Sequence, residues 1–450
     1  MRGRYPGTRM PNAAFAFRHA TVLPMDRDVA LEDRTVVVRD GRIAALGPSD
    51  AIEIPHDALV VDARGKYLIP GLCDMHVHIS PSGPGPALNE IEAMRRARQF
   101  LLVFLSSGIT TVRNMAGTPM HLALRAEVAA GDTLGPRILC CSPILETRFT
   151  FPEIAEFGQL VQTPEEARDA VIAHHRAGYD FIKVYNDIDA PVYDMIIATA
   201  RAVGIPVVGH VAFQKGLRGA LAAKQDSIEH FRSYDFAIDT RAGGDKPKRF
   251  EGWLYATPQR VAELAEQTAE AGTWNVPTLV IERNLRTDAE MAEAAAIEDA
   301  PMPVWLRDDL EKNWLEHLFS GEQRQIIRDG FAARGAMLKA LDDVGAGILA
   351  GSDCPGCRLV PGRSLLRELE LMVEAGLSPW RALRTATVAA ARFLGDDSGG
   401  TIAPGKRADL LLLEGDPRAD ISALRRQAGV AVAGRWLPSA QLERMILAET

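Results

Sequence analysis

The stretch Ile69-Pro70-Gly71-Leu72-Cys73-Asp74-Met75-His76-Val77-His78 decides the fold of this chain. It places the imidazoles of His76 and His78 at positions i and i+2 after an apolar run, and side chains at that spacing in a β-strand point to the same face. Two neutral imidazoles that converge on one face of a buried strand are costly to desolvate, and a transition-metal ion is the commonest partner that offsets this cost. A single His-x-His pair is a weak signal, so the rest of the chain has to support it.

Four further residues that could bind a metal ion stand at the ends of other β-branched or apolar runs, and they are Lys183, His210, His230 and Asp353. The spacings of 27 residues (183 to 210) and 20 residues (210 to 230) each fit one strand, one loop and one helix. Successive parallel strands need a crossover of roughly a dozen residues or more, so these spacings are typical of repeated βα units.

Eight strand-like runs alternate with helical ones between residues 70 and 399, which predicts an α/β fold with a (β/α)8 TIM-like barrel. The gap between the seventh and eighth runs is too long for one helix. Residues from about 284 to 345 are rich in Ala, Glu, Leu, Lys and Arg, so we predict a helical insertion there. The eight runs are 72–78, 109–113, 137–141, 181–185, 206–210, 227–230, 275–280 and 347–353.

Both ends of the chain have short strand-like runs instead. The runs 35–38 and 42–47 flank Asp40-Gly41, which predicts a β-hairpin with an Asp-Gly turn. Similar runs recur at 408–413 and 430–436. We therefore predict one small β-sandwich domain formed by residues 1–69 and 400–450, and a barrel domain formed by residues 70–399.

The composition is that of a large globular enzyme, with 450 residues of which 47% are hydrophobic and 24% are charged. The net charge of −8 and the pI near 5.8 argue against nucleic acid or an anionic membrane as a partner. No apolar run reaches the length of a membrane span, and five cysteines in a chain this long do not make a disulfide framework. We expect a cytoplasmic homo-oligomer that acts on a small molecule.

The chain resembles the amidohydrolase superfamily, specifically its imidazolonepropionase-like and dipeptidase-like metal hydrolases. The resemblance runs from about residue 14 to residue 437, and its motifs are specific together although none is specific alone. Besides the stretch quoted above, the matching segments are Gly108-Ile109-Thr110-Thr111-Val112-Arg113, Phe181-Ile182-Lys183-Val184-Tyr185, Gly209-His210-Val211, Ser227-Ile228-Glu229-His230, Gly351-Ser352-Asp353 and Gly405-Lys406-Arg407-Ala408-Asp409-Leu410.

That resemblance implies a binuclear metal centre with two divalent ions, usually zinc. The implied ligands are His76, His78, Lys183, His210, His230 and Asp353. The first two histidines and the aspartate hold the more buried ion, the other two histidines hold the second, and a carboxylated Lys183 bridges them. An ammonium group cannot bind a cation, whereas a lysine amine that has added carbon dioxide carries carboxylate-like oxygens.

Each ligand also has an ordinary structural interpretation. Lys183 could be a salt-bridge lysine, His210 and His230 could be core histidines bonded to backbone, and Asp353 could cap the following segment. Their joint placement at strand ends favours the metal centre over these alternatives. Cys354-Pro355-Gly356-Cys357 could be a redox pair or half a zinc site, but without a second pair we favour two thiols that line the loop.

The resemblance implies hydrolysis of an amide C–N bond, in a dipeptide, an N-acyl amino acid or a cyclic amide, by a hydroxide that bridges the metals. Asp353 would take the proton of this hydroxide and deliver it to the leaving nitrogen, with His230 or Tyr185 assisting at the carbonyl. Candidates for binding a substrate carboxylate or carbonyl, each equally able to be structural, are Arg113, Arg148, Tyr185 and Arg232.

Three alternatives stay open at this point: a mononuclear deaminase of the same superfamily, a lactone or ester hydrolase, and a non-catalytic scaffold. The chain also departs from many relatives, because Ala212 replaces a histidine and the loop after the third strand lacks a Gly-Gly-His motif. These departures leave the metal ligands intact but put a dipeptide preference in doubt.

Overall fold

The computed structural model describes residues 14–80, 88–149, 152–239, 241, 250–284, 301–312 and 319–448. Its strands form one parallel sheet that curves into a barrel and one separate mixed sheet. The strands are β1 (Phe15–Val22), β2 (Leu31–Arg39), β3 (Arg42–Pro48), β4 (Leu59–Asp62), β5 (Tyr67–Pro70), β6 (Leu72–Val77), β7 (Ile109–Asn114), β8 (Arg137–Glu146), β9 (Gly158–Leu160), β10 (Phe181–Val184), β11 (Val207–Gly209), β12 (Ser227–Glu229), β13 (Trp274–Val276), β14 (Leu410–Leu413), β15 (Gln427–Val432) and β16 (Arg435–Pro438).

The barrel wall has the strand order β13-β12-β11-β10-β8-β7-β6, with every neighbouring pair parallel. The predicted eighth run, 347–353, lies between β13 and β6 and is held there by isolated bridges. Asn275 N–H donates to the Gly347 carbonyl at 2.9 Å on one side, and Met75 N–H donates to the Ala350 carbonyl at 2.9 Å on the other. The predicted fold class, a TIM-like barrel with a second sheet from the chain ends, is confirmed.

The seventh barrel strand is shorter than predicted. It ends at Val276, and a helix begins at Leu279. Pro277 lacks an N–H to continue the strand ladder, and Thr278 has the left-handed φ of 48°, so the chain turns here. This turn carries Thr278 to the carboxyl end of the barrel.

The mixed sheet has the order β16-β15-β14-β5-β1-β2-β3, with β4 also paired to β1. Its β2–β3 hairpin turns at Asp40 and Gly41, whose φ values of 52° and 70° suit a tight hairpin turn, as predicted. The chain passes from this sheet into the barrel at Gly71. A Cβ at Gly71 would lie 2.2 Å from Thr110 Oγ1, so only glycine fits between β5 and β6.

Most helices cover the outside of the barrel and pack on its apolar face, whereas Ser439–Ala448 packs against Glu90–Ser106 and against β15 and β16. Their ends follow from local sequence: in Pro164–Ala177, Thr163 Oγ1 accepts a hydrogen bond from Glu166 N–H, and Gly178 ends the helix with a φ of 87°. The α-helices are Glu90–Ser106, Pro119–Ala130, Pro164–Ala177, Ala190–Val203, Gly216–Ala222, Tyr234–Ile238, Pro258–Ala271, Leu279–Asn284, Val304–Lys312, Gly321–Asp343, Arg363–Glu374, Pro379–Thr385, Val388–Phe393 and Ser439–Ala448.

The predicted helical insertion at about 284–345 includes two of these helices, Val304–Lys312 and Gly321–Asp343. Residues 285–300 and 313–318 of that prediction lie outside the described residues. Within the described part of the chain, no helix combines the length and the apolar character needed to cross a lipid bilayer.

Candidate metal centre

The six residues predicted as metal ligands lie at or beside the carboxyl ends of the barrel strands, which is where barrel enzymes of this kind hold their chemistry. Backbone hydrogen bonds between neighbouring strands fix the positions of these ends. Asp353 N–H donates to the His76 carbonyl at 2.7 Å, and His210 N–H donates to the Val184 carbonyl at 3.0 Å. The barrel therefore brings residues that are far apart in sequence to one end of the barrel.

Three histidine side chains converge on the carboxylate of Asp353. His76 Nε2 lies 3.3 Å and His78 Nε2 lies 3.2 Å from Asp353 Oδ1, and His230 Nε2 lies 3.9 Å from Asp353 Oδ2. Ligand atoms of His76, His230 and Asp353 all lie within 4.8 Å of one another, a grouping able to hold a metal ion. The ring of His210 adjoins this group, with its centroid 5.0 Å from that of His230.

The other ring nitrogen of three of these histidines is occupied by a hydrogen-bond partner. His76 Nδ1 lies 2.8 Å from Glu229 Oε2, His210 Nδ1 lies 2.9 Å from Asn186 Oδ1, and His230 Nδ1 lies 2.6 Å from Thr278 Oγ1. Such bonds fix the ring orientation and place the proton on Nδ1, which leaves Nε2 free to donate its lone pair. This arrangement fits a metal ion at the centre of the group.

The ionisation states of these side chains also suit a divalent cation. Burial lowers the pKa of His210 and His230 well below the ordinary histidine value, which keeps both rings neutral. Burial opposes ionisation of Asp353, but its electrostatic and hydrogen-bond interactions with the facing imidazoles of His230, His76 and His78 hold its pKa well below the usual range. Neutral imidazoles and an ionised carboxylate are the forms that bind metal ions.

Lys183 is almost completely buried, with 1% of its surface exposed, inside the barrel at β10. Burial lowers the pKa of its amine, with the charges of Glu229, Cys141 and Asp353 opposing that shift. A lysine whose pKa is lowered carries more of the neutral amine, which is the form that reacts with carbon dioxide. The position of Lys183 is therefore compatible with a carboxylated lysine.

Arg113 does not line the opening of the site as a substrate-binding residue would. It is fully buried inside the barrel, where its Nη2 donates to Glu229 Oε1 at 2.9 Å and its Nε donates to the Met75 carbonyl at 2.7 Å. Its guanidinium lies 5.5 Å from the ring centroid of Phe181 and 5.3 Å from that of Phe393. We correct the sequence interpretation: Arg113 holds the Glu229 carboxylate that orients His76.

Glu229 is the central residue of this buried network, and it was not among the site residues predicted from sequence. Its carboxylate bonds His76, Arg113 and Ser227, the last with Ser227 Oγ donating to Oε1 at 2.6 Å. Burial opposes ionisation of Glu229, but Arg113 and His76 hold its pKa well below the ordinary value. A glutamate at the end of a strand-like run, directly before a predicted ligand, was the available signal.

We expect Glu229→Gln to lower the affinity for metal by about 10- to 100-fold, because an uncharged partner makes His76 a weaker ligand. The variant also leaves Arg113 buried without an anion, which should cost about 3–5 kcal/mol in the free energy of unfolding. Metal titration and chemical denaturation measure the two effects, with the exposed Glu266→Gln as control. Unchanged metal affinity in Glu229→Gln would contradict this role.

The other proposed substrate residues occupy three different environments. The Tyr185 ring stacks on the His210 ring, with centroids 3.9 Å apart and planes 23° apart. Arg148 has 54% of its side chain exposed and pairs with Asp189. Arg232 is buried, two residues beyond His230. Of the three, Tyr185 and Arg232 therefore lie next to the histidine group.

Asp74 ties the first and eighth barrel segments together beneath the site. Its carboxylate accepts hydrogen bonds from Ser352 N–H at 3.0 Å, from Ser352 Oγ at 2.6 Å and from His76 N–H at 3.2 Å. Burial raises the pKa of Asp74 to about 7. Ser352 directly precedes Asp353, whose backbone has the strained left-handed φ of 63°. The hydrogen bonds between Asp74 and Ser352 therefore help to hold this strained backbone in place.

Cys354 and Cys357 are both fully buried, reduced thiols. Burial raises the pKa of the Cys354 thiol well above its ordinary value, so little of the reactive thiolate is present. Neither cysteine belongs to a metal-binding group among the residues that the structure describes. These observations favour thiols that only line the loop.

Comparison with known proteins agrees with this geometry. The sequence model of the Amidohydrolase family matches residues 67–437. Imidazolonepropionase from Symbiobacterium thermophilum is 25% identical over 414 residues, which cover 84% of this chain and 83% of that protein. Enamidase from Eubacterium barkeri is 37% identical over 101 residues, which cover 22% of this chain and 24% of the enamidase, so the chain matches only about a quarter of that relative.

Solved structures show the same architecture over the whole chain. The crystal structure of a putative prolidase from Bifidobacterium longum superposes with a TM-score of 0.72 and 25% sequence identity, and the match covers 97% of this chain and 99% of that one.

Proposed function

This chain belongs to the amidohydrolase family, and from that premise we propose that it hydrolyses the amide bond of a small molecule such as a dipeptide, an N-acyl amino acid or a cyclic amide. The observation that carries the proposal is the convergence of His76, His78 and His230 on the Asp353 carboxylate. Amide-hydrolysing relatives with the same fold, including a putative prolidase, support the reaction class.

We assign two divalent ions, zinc in the first instance, to six side chains. Six ligands exceed the four of one tetrahedral zinc site. The His230 ring lies between 4.5 and 5.0 Å, centroid to centroid, from both the His76 ring and the His210 ring. Bound there, such ions would lower the pKa of a water molecule toward about 7 and polarise a carbonyl oxygen. The assigned ligands are His76, His78, Lys183, His210, His230 and Asp353.

Lys183, as a carbamate, would be one of the residues that hold the ions in this proposal. The neutral amine attacks carbon dioxide, a N–C bond forms, and one proton leaves to solvent, so the side chain gains two oxygens and a negative charge. The burial of Lys183 and the lowered pKa of its amine supply the neutral form that this reaction needs.

Asp353 moves the proton during the reaction. Its carboxylate faces three histidines, and with a pKa held well below the usual range it starts the cycle ionised and able to accept. It takes a proton from the attacking water and passes it to the leaving nitrogen. His230, which faces Asp353, and Tyr185, which stacks on the His210 ring, would assist at the substrate carbonyl.

Metal analysis of the purified protein tests the centre directly. We expect two divalent ions per chain, loss of activity on exposure to a chelator, and recovery when Zn²⁺ is returned. Activity is then measured on dipeptides, N-acyl amino acids, cyclic amides and lactones. One tightly bound ion at full activity would favour the mononuclear deaminase, and turnover of lactones alone would favour the ester hydrolase.

A further inference from the structure

Arg232 is a buried cation without an anionic partner. Only 7% of its surface is exposed, and its Nε is fully buried without a hydrogen-bond partner. Within the described ranges, no carboxylate lies within ion-pair distance of its guanidinium. Burying an unpaired charge raises the free energy of the folded state. A bound anion would offset that cost at Arg232.

Among the residues that the structure describes, the other two deeply buried arginines are paired, which distinguishes Arg232 from them. Arg113 bonds Glu229 at 2.9 Å, and Arg334 lies 2.6 Å from Glu282. The positive charges of Arg232 and Arg334 also act on each other, although the charges of Glu282 and Asp235 act more strongly on Arg334. An anion bound at Arg232 would supply the ion pair that this guanidinium lacks among the described residues.

Arg232 lies near the candidate metal centre, because its charge acts on the rings of His210 and His230. It follows His230 by two residues, in a loop where His230, Phe231 and Ser233 all have left-handed φ values of 61°, 49° and 68°. Strained backbone that persists beside a cluster of polar groups is typical of functional loops.

We propose that Arg232 binds a carboxylate group of the substrate beside the scissile amide, so that the substrate is an acylated amino acid or a dipeptide with a free carboxylate. A guanidinium presents parallel N–H donors that match the two oxygens of a carboxylate. This inference deepens the proposed function, since it excludes neutral amides and neutral cyclic amides as preferred substrates.

Binding of matched acids and amides to the metal-loaded enzyme tests the proposal without requiring turnover. The probes are the N-acetyl derivatives of L-alanine, L-leucine, L-proline and L-phenylalanine, each as the free acid and as the carboxamide, measured by titration calorimetry. We expect the wild type to bind at least one acid on the order of 10- to 100-fold more tightly than its amide. Equal affinity within every pair, or no binding of any acid, would overturn the proposal.

Substitutions of Arg232 test whether this residue causes the preference for acids over amides. Arg232→Gln should abolish the preference for acids, and Arg232→Lys should keep only part of it because an ammonium lacks the planar pair of donors. Arg148→Gln is the matched comparison, since Arg148 is exposed and already paired with Asp189. If Arg148→Gln abolished the preference and Arg232→Gln retained it, the carboxylate would bind elsewhere.

Thermal unfolding and hydrolysis distinguish a carboxylate site from an arginine that only supports the fold. A purely structural Arg232 would make Arg232→Gln less stable to heat, whereas removal of an unpaired buried charge should leave the unfolding midpoint unchanged or raised. Hydrolysis of the same probes is scored separately. If the preference for acids depends on Arg232 but no probe is cleaved, the proposed amide hydrolysis would be contradicted while the proposed carboxylate site would be supported.

Discussion

Asp353→Asn is expected to lower kcat by about 10²- to 10⁴-fold, the range that general acid–base groups contribute, with weaker metal binding adding to the loss. Asparagine keeps the shape and one oxygen but cannot accept the proton of the attacking water. It also lacks the charge that the three surrounding histidine Nε2 atoms face. The measurement is kcat on the best substrate together with metal content.

The matched control for this variant is Asp397→Asn, which changes an exposed aspartate in the same way. Its kcat and metal content should equal those of the wild type. A near wild-type kcat in Asp353→Asn would show that another group moves the proton, and the proposed roles would have to be reassigned.

Lys183→Ala is expected to remove most of the bound metal and with it almost all activity. The variant deletes the proposed bridge and leaves a cavity at β10, whose other side chains are buried. Lys183→Arg should not restore the metal, because arginine keeps its charge and forms no stable carbamate. Metal content per chain is measured before activity in both variants.

Bicarbonate provides the chemical control for Lys183. Metal-free wild-type protein should regain metal and activity faster when bicarbonate is supplied with Zn²⁺, because the carbamate has to form before the bridge exists. Lys339→Ala, at an exposed lysine paired with Asp343, should behave as the wild type does. Wild-type metal content in Lys183→Ala would assign Lys183 a structural role.

The strand ends were predictable from sequence because each one combines an apolar run with a polar residue. That pattern placed His76, His210 and His230 at one end of a barrel, and the structure brings their side chains together. The eighth segment was also found, since Gly351-Ser352-Asp353 ends an apolar run, although its pairing is irregular. Their role as metal ligands stays a prediction.

The contacts inside the barrel were not predictable from sequence. Both faces of a barrel strand are buried, so the pattern of apolar residues does not tell which side chains point inward. For that reason Arg113 was a candidate for both a substrate-binding and a structural role, and Glu229 was overlooked, although the two form one ion pair. Whether Arg232 has an anionic partner depends on which residues the fold brings next to it. A local sequence pattern does not contain that information.

The passage of the chain through Gly71 has a consequence for biosynthesis. Strand β5, just before Gly71, pairs with β14 from the far end of the chain, and β6, just after it, carries His76. During synthesis, β5 therefore cannot pair with β14 until most of the chain has left the ribosome. Such long-range pairing is slow and leaves strand edges exposed. The region around the first histidine pair is therefore among the last to form its final contacts. We expect chaperones to bind the unpaired strand edges of the nascent chain during this interval.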